Sequence, residues 1–214
     1  MWARQERLLS SRGFDVVAPD LPGFGTTPEP PSQFSFVDLV AQLLPATLVG
    51  NSFGGRIALE TALSQPEGVD SLVLVDAGIR DHVWSDEIAA YWKREEELLD
   101  AGDLDAATQL TLDVFALPHA HEFLRPMQRR AYELQAAGSE AEVRWPPPAP
   151  LSSLRSRTLV LVGEHDLGDF HAIAHRIARE AADARVEVVA GAKHLPSVEE
   201  PERFEAVLFR FLDG

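Results

Sequence analysis

The chain has 214 residues, of which 45% are hydrophobic, and this length and composition suit one globular domain that carries an insertion. Acidic residues outnumber basic ones by 34 to 19, and the net charge of −15 argues against nucleic acid and membrane surfaces as partners. Cysteine is absent, which excludes disulfides and thiolate metal sites.

The N-terminal residues predict an amphipathic helix to about Arg12, ended by Gly13, and carry no apolar run of signal-peptide length. No later stretch is apolar for long enough to span a bilayer, so we expect a cytoplasmic protein. Hydrophobic periodicity then predicts, in chain order, a strand over residues 14–19, a helix over 34–44, a strand that runs into Ser52, a helix to about Gln65 and a strand over 71–76.

Residues 79–150 differ from the rest of the chain because they contain no strand-like run. Their periodicity predicts three helices, over residues 85–99, 104–115 and 122–136, and a proline-rich run over 146–150 ends the segment. We therefore expect residues 79–150 to form a helical cap, inserted into a core made of residues 1–78 and 151–214.

After this segment the pattern predicts strands over residues 158–162 and 185–189 and a closing helix over 201–212. Because successive strands are joined by helical segments, the strands should all be parallel. The expected fold is an α/β fold with a mostly parallel sheet of about five strands. The first strand, over residues 14–19, is expected to pair with the strand that ends at Asn51.

The stretch Gly50-Asn51-Ser52-Phe53-Gly54 lies where a buried strand gives way to a helix. Gly-x-Ser-x-Gly in this context is typical of a nucleophile elbow, a tight turn with a serine at its apex. We expect Cβ atoms at the flanking glycine positions to collide with the neighbouring strand and helix. The N-terminal N–H groups of the following helix would stabilise negative charge at the serine. A glycine-rich turn with a purely structural role is the alternative.

A serine nucleophile needs a base and an orienting acid, and an elbow of this kind predicts the chain order serine, acid, histidine. His194 follows the last predicted strand and is the candidate base. Asp166 follows the strand before it and is the candidate acid, since catalytic groups in parallel sheets lie at the carboxyl ends of strands. The alternative acids are Asp76, Glu164 and Asp169.

Two histidine pairs have spacings that occur in metal sites. His171 and His175 are four residues apart on a predicted helix, but the glutamate of the zinc-protease motif is missing between them. His119 and His121 flank one alanine in a predicted loop. Surface histidines explain both pairs, so we expect no metal site.

Four blocks of sequence together resemble the α/β-hydrolase family in its small, cap-bearing form, and they occur in the family's order: residues 16–25, 48–55, 163–166 and 194–201. The resemblance implies hydrolysis of a small-molecule carboxylic ester or lactone, with no cofactor. It assigns Ser52 as the nucleophile, His194 as the base, Asp166 as the orienting acid and the N–H of Phe53 as an oxyanion donor. Residues 194–201 are closer to enol-lactonase-like members.

The chain departs from the family pattern at its start. Family members carry further strands before this point, and the loop after the last of them, with a His-Gly motif, supplies a second oxyanion donor; this sequence has no His-Gly pair. Lys193 also stands where the family often has glycine.

The sequence leaves two alternative functions open. Residues 50–55 resemble hydrolases that cleave carbon–carbon bonds of ring-fission products. A truncated or catalytically impaired hydrolase would act only as a ligand-binding scaffold.

Overall fold

The computed structural model describes residues 1–28, 30, 32–138 and 142–214. Its helices and strands are, in chain order, α1 (Ala3–Ser11), α2 (Phe36–Ala41), β1 (Ala46–Asn51), α3 (Phe53–Ser64), β2 (Val69–Val75), α4 (Asp86–Asp100), α5 (Leu104–Phe115), α6 (His121–Ala136), β3 (Arg157–Gly163), α7 (Gly168–Glu180), β4 (Ala184–Val189), α8 (Pro196–Glu199) and α9 (Pro201–Leu212). Among the described residues, no helix combines the length and the apolar composition needed to cross a membrane.

The four strands form one parallel sheet in the order β1-β2-β3-β4. The register pairs Leu74 of β2 with Gly50 on one side and with Val160 on the other. Helices separate successive strands along the chain, as parallel pairing requires. The carboxyl ends of the strands therefore meet at one edge of the sheet. There the backbone N–H of Ser52 continues the ladder beyond β1 and donates to Val75 O over 2.8 Å.

Alternating side chains along β2 divide the core between the two faces of the sheet. Leu72 and Leu74 pack with apolar residues of α3 and α7. Val73 and Val75 point to the opposite face and pack with apolar residues of α9. Because β2 and β3 are covered on both faces, their sequences are nearly continuous apolar runs. Helix α1 lies on α9, where the rings of Trp2 and Phe204 have centroids 6.0 Å apart.

Helices α4, α5 and α6 follow one another between β2 and β3, which confirms the three helices predicted for this segment. Leu98, Ala107 and Tyr132 form a small apolar cluster among them. A second cluster, to which Leu112 belongs, packs against Leu195 in the loop after β4. The helical insertion therefore contacts the core beside His194. The division of the chain into a core and a cap stays a prediction.

The predicted fifth strand over residues 14–19 is wrong, because the sheet has four strands and no backbone hydrogen bond joins these described residues to β1. Phe14 is 41% exposed and Val17 is 61% exposed, so the segment does not bury its apolar side chains. A short apolar run becomes a strand only where a neighbouring strand supplies partners for its backbone groups. Strand β1 therefore forms one edge of the sheet.

Helix α2 is shorter than the helix predicted over residues 34–44. Its start is set by Ser35, whose hydroxyl accepts a hydrogen bond from the N–H of Asp38 over 3.1 Å. A serine in this role satisfies one of the N–H groups that have no partner within the first turn of a helix, and it therefore fixes the helix start.

The turn between β1 and α3 is tight, and its backbone is strained at Ser52, where φ is 52° and ψ is −115°. A Cβ on Gly50 would lie 2.3 Å from the backbone oxygen of Gly54, and one on Gly55 would lie 2.6 Å from Cβ of Ala77. A Cβ on Gly54 would meet no other atom within 4 Å in the described part of the chain. The collision expected at both flanking glycines is thus confirmed for Gly50 and wrong for Gly54, and the second close approach is at Gly55.

Gly50→Ala should lower the free energy of unfolding by about 1–3 kcal/mol, because the first turn of α3 would have to move away from β1. Gly54→Ala is the matched control. It should leave that free energy unchanged or raise it by up to about 1 kcal/mol, since alanine favours the helix. Urea unfolding followed by circular dichroism measures both. Equal losses in the two variants would contradict the close approach at Gly50.

Candidate active site

Asp166 and His194 form a buried, hydrogen-bonded pair at the carboxyl edge of the sheet. Nδ1 of His194 lies 2.8 Å from Oδ2 of Asp166, and the exposed fractions of the two side chains are 5% and 0%. Burial opposes ionisation of Asp166, but the charge and hydrogen bond of His194 outweigh it and lower the pKa of Asp166. An ionised Asp166 places the imidazole proton on Nδ1 and leaves Nε2 as the basic nitrogen.

The position of His194 is fixed by both its backbone and its ring. The side-chain amide of Asn51 donates to the backbone oxygens of His194 and Val75, each over 3.0 Å. The rings of Phe170 and Phe115 lie with centroids 4.3 Å and 4.9 Å from the imidazole. Asn51 directly precedes Ser52, so its hydrogen bond ties the histidine loop to the serine turn. Phe115 ends α5, so the imidazole also contacts the helical insertion.

Ser52 lies at the same edge of the sheet, immediately before α3. Phe53 begins this helix, and the first N–H groups of a helix have no partner within it. The aligned peptide dipoles add partial positive charge at the same place. Within the described residues the Ser52 hydroxyl makes no hydrogen bond to His194 or to the helix that it precedes. Contacts of this kind are often long in sites without substrate, and the pairing of Ser52 with His194 stays a prediction.

An aromatic cluster lies beside the serine turn. The ring of Phe53 contacts Phe36 and Trp145 edge to face, with centroids 5.1 Å and 6.2 Å apart, and it stacks on Phe24 at 6.2 Å. Trp145 also contacts the guanidinium of Arg56, which lies 4.2 Å from its ring centroid. One side of the serine turn is therefore lined by aromatic rings, with one guanidinium packed on them.

Glu199 is a buried carboxylate in the short helix α8, directly after the histidine loop. It is 4% exposed, and its Oε2 accepts from the backbone N–H groups of Lys193 over 2.7 Å and Leu195 over 3.2 Å. Its Oε1 accepts from the N–H of Leu117 in the helical insertion over 2.7 Å. Since Lys193 and Leu195 flank His194, one carboxylate holds the histidine loop and the insertion together. The sequence carries no sign of this burial, because its glutamates are mostly expected on solvated helix faces.

The three alternative acids have other hydrogen-bond partners. Glu164 accepts from a backbone N–H at the surface over 2.8 Å. Asp169 accepts from the hydroxyl of Ser85 over 2.6 Å. Asp76 is 1% exposed and accepts from a backbone N–H of β3 over 2.9 Å. Of the four candidate acids, Asp166 is the one that is hydrogen-bonded to the imidazole.

Among the described residues, one group of three side chains has potential metal-ligating atoms within 4.8 Å of one another: Asp76, Asp166 and His194. Two of its members are already hydrogen-bonded to each other. The two histidine pairs singled out in the sequence are not part of this group. Nε2 of His119 and Nε2 of His121 instead lie 3.2 Å from backbone oxygens.

A cavity of about 440 Å³ lies further along α3, beyond the serine turn. Charged groups of both signs line it, among them Glu60 and Arg80, whose Oε1 and Nε atoms are 2.6 Å apart. The cavity lining includes none of the three candidate catalytic residues. This cavity is therefore not part of the candidate catalytic site.

Glu199→Ala should lower the free energy of unfolding by at least about 3 kcal/mol, because three backbone N–H groups would lose their acceptor and each buried, unpaired group costs about 1–3 kcal/mol. Glu200→Ala is the matched control. Its side chain is partly exposed and makes a contact of 3.6 Å with Arg203, so the expected loss is below about 1 kcal/mol. Urea unfolding of both variants measures the difference. Similar losses in the two variants would contradict the role of Glu199 in holding the histidine loop and the insertion together.

The chain is similar in sequence to known hydrolases. The model of the alpha/beta hydrolase family matches residues 1–207. A 2-hydroxymuconate semialdehyde hydrolase from Pseudomonas sp. (strain CF600) is 28% identical, over 92% of this chain and 76% of that protein. A pimeloyl-[acyl-carrier protein] methyl ester esterase from Nitrosospira multiformis is 26% identical, over 99% of this chain and 89% of that protein.

Among solved structures, a hydrolase from Pseudomonas aeruginosa PA01 aligns with a TM-score of 0.77 and 26% identity, over 100% of this chain and 85% of that one. The family match covers nearly the whole chain and agrees with the parallel sheet and with the strained serine turn between β1 and α3. The chain belongs to the alpha/beta hydrolase family.

Proposed function

We propose that this protein hydrolyses a small carboxylic ester or lactone through an acyl-enzyme intermediate on Ser52. The observation that carries the proposal is the buried hydrogen bond of 2.8 Å between Asp166 and His194, at the sheet edge where the turn at Ser52 also lies. A buried imidazole with an ionised orienting partner is what a serine hydroxyl needs as a base.

In this mechanism the hydroxyl oxygen of Ser52 attacks the substrate carbonyl while Nε2 of His194 accepts the hydroxyl proton. Asp166 keeps its hydrogen bond to Nδ1 and stabilises the positive charge that forms on the imidazole. The N–H of Phe53 and the dipole of α3 stabilise the oxyanion, and one such donor contributes about 3 kcal/mol to the transition state. His194 then returns the proton to the leaving oxygen, and a water molecule activated by His194 releases the acyl group.

The aromatic cluster beside the serine turn favours a substrate that carries an apolar group next to the reacting carbonyl. The cluster consists of Phe24, Phe36, Phe53 and Trp145. We further propose that residues 79–150 act as a cap over this site, since Phe115 contacts the imidazole from that segment. The relative named as a methyl ester esterase is consistent with an ester substrate.

Cleavage of a carbon–carbon bond in a ring-fission product is the second candidate. It rests on the relative named as a 2-hydroxymuconate semialdehyde hydrolase and on the resemblance of residues 50–55 to such hydrolases. The same three residues would serve this chemistry, so the catalytic site does not distinguish the two reactions. Parallel assays with an activated ester and with a ring-fission diketone separate them, because the preferred substrate should have the higher kcat/KM. Binding of either substrate with no turnover would indicate a ligand-binding scaffold.

Ser52→Ala should lower kcat for p-nitrophenyl acetate by at least about a thousandfold, because removing the nucleophile removes the acyl-enzyme route. His194→Ala should have a loss of similar size, since the three residues act as a unit. Ser153→Ala removes an exposed hydroxyl bonded to Pro150 O and should leave kcat unchanged. Turnover by Ser52→Ala equal to that of the unmodified chain would show that Ser52 is not the nucleophile.

A further inference from the structure

Asp76 is a buried acid that the proposed mechanism does not use. It directly follows β2, is 1% exposed and has φ of 45°, a conformation that favours asparagine, aspartate and glycine among the residue types. One oxygen of its carboxyl group, one oxygen of the Asp166 carboxyl group and one nitrogen of the His194 ring all lie within 4.8 Å of one another. The strand end thus places a second acid beside the pair that would activate Ser52.

The hydrogen bonds of the two carboxyl groups are unequal. Asp166 accepts from the N–H of Leu167 on Oδ1 and from Nδ1 of His194 on Oδ2. Asp76 accepts from the N–H of Gly163 on Oδ1, while its Oδ2 is buried and has no hydrogen-bond partner among the residues that the structure describes. A buried oxygen without a partner is costly, and a proton on that oxygen would turn it into a donor. The carboxylate of Asp166, which has an oxygen within 4.8 Å of a carboxyl oxygen of Asp76, is an acceptor close by.

Electrostatics decides which acid holds that proton. Burial, followed by the neighbouring charge of Asp166, raises the pKa of Asp76 well above its ordinary value, and the charge of Glu199 has a smaller effect in the same direction. The N–H of Gly163 opposes this effect but does not outweigh it. Asp166 is the better site for the negative charge, because it faces His194 and receives two hydrogen bonds.

We propose that Asp76 is protonated at neutral pH and donates a hydrogen bond from Oδ2 to Asp166. In this arrangement Asp76 is a positioning residue: it fixes the carboxylate of Asp166 in the orientation that accepts Nδ1–H of His194. Its effect on catalysis rests on the proposed function, whereas its protonation does not. The side chain at position 76 must then accept a hydrogen bond from the N–H of Gly163 and donate one to Asp166. An asparagine side chain can do both, through its oxygen and its NH₂ group.

The protonation state can be observed without any assay of activity. In protein labelled with ¹³C at the aspartate carboxyl carbons, one resonance should have the chemical shift of a protonated acid at neutral pH, and it should be missing from Asp76→Asn. Asp70→Asn, a change at an exposed position of the same strand, should keep that resonance. Carboxylate shifts for every aspartate at neutral pH would overturn the proposal.

The pH dependence of stability provides a second test, because a protonated Asp76 fixes the direction in which stability changes with pH. The native state would hold a proton that the unfolded chain releases above about pH 4, so the unmodified protein should lose stability as the pH rises from about 5 to about 8 through this group. Asp76→Asn has no such proton. Its Tm relative to the unmodified protein should therefore increase steadily over this range, whereas the Tm difference for Asp70→Asn should stay constant. A constant difference for Asp76→Asn would contradict a protonated Asp76.

The positioning role is tested by kinetics on p-nitrophenyl acetate. Asp76→Gly suits the positive φ but removes the donor, so kcat should fall by about tenfold or more with little change in KM. Asp76→Asn keeps a donor and should restore kcat to within about threefold of the unmodified protein. Equal kcat for the glycine variant and the unmodified protein would overturn the positioning role. If Ser52→Ala keeps its turnover, the proposed function fails, and the carboxyl resonance still decides the protonation of Asp76.

Discussion

The hydrogen bond between Asp166 and His194 is the interaction on which the candidate site depends. Two titratable side chains that are almost fully removed from water are tolerated only if each supplies what the other lacks. The pair meets this condition because the carboxylate accepts and the imidazole donates over 2.8 Å. Asn51 and Glu199 extend the arrangement by holding the backbone on which His194 is carried.

The parallel sheet explains why these groups meet. Its strands end at one edge, so the residues that follow β1, β2 and β3 are brought together although they are far apart in the chain. Ser52 and Asp76 directly follow the first two strands, and both have positive φ, at 52° and 45°. Strain of this kind persists only where the surroundings enforce it, and at Ser52 the close approach of α3 to β1 at Gly50 restricts the turn.

The sequence predicts well those elements whose formation depends on neighbouring residues in the chain. Strands β1 to β4 have apolar runs, and α4 to α6 have helical periodicity, so both sets were predictable. Residues 14–19 carry a similar apolar run but lack a neighbouring strand, and the run alone therefore predicted a strand wrongly. The chain order of Ser52, Asp166 and His194 pointed to one site, whereas the burial of Glu199 and the packing of Phe115 and Phe170 on the imidazole depend on tertiary neighbours that no local pattern reveals.

The helical insertion contacts the candidate site directly. Phe115 packs on His194 and Leu117 donates to Glu199, so the insertion and the histidine loop form one unit. In the mechanism that we propose, Ser52 is a nucleophile activated by His194. Labelling with a fluorophosphonate, followed by peptide mass mapping, measures it most directly. We expect one phosphonyl adduct, on the peptide that contains Ser52, and no adduct in His194→Ala. An adduct on another residue, or equal labelling of His194→Ala, would contradict this mechanism.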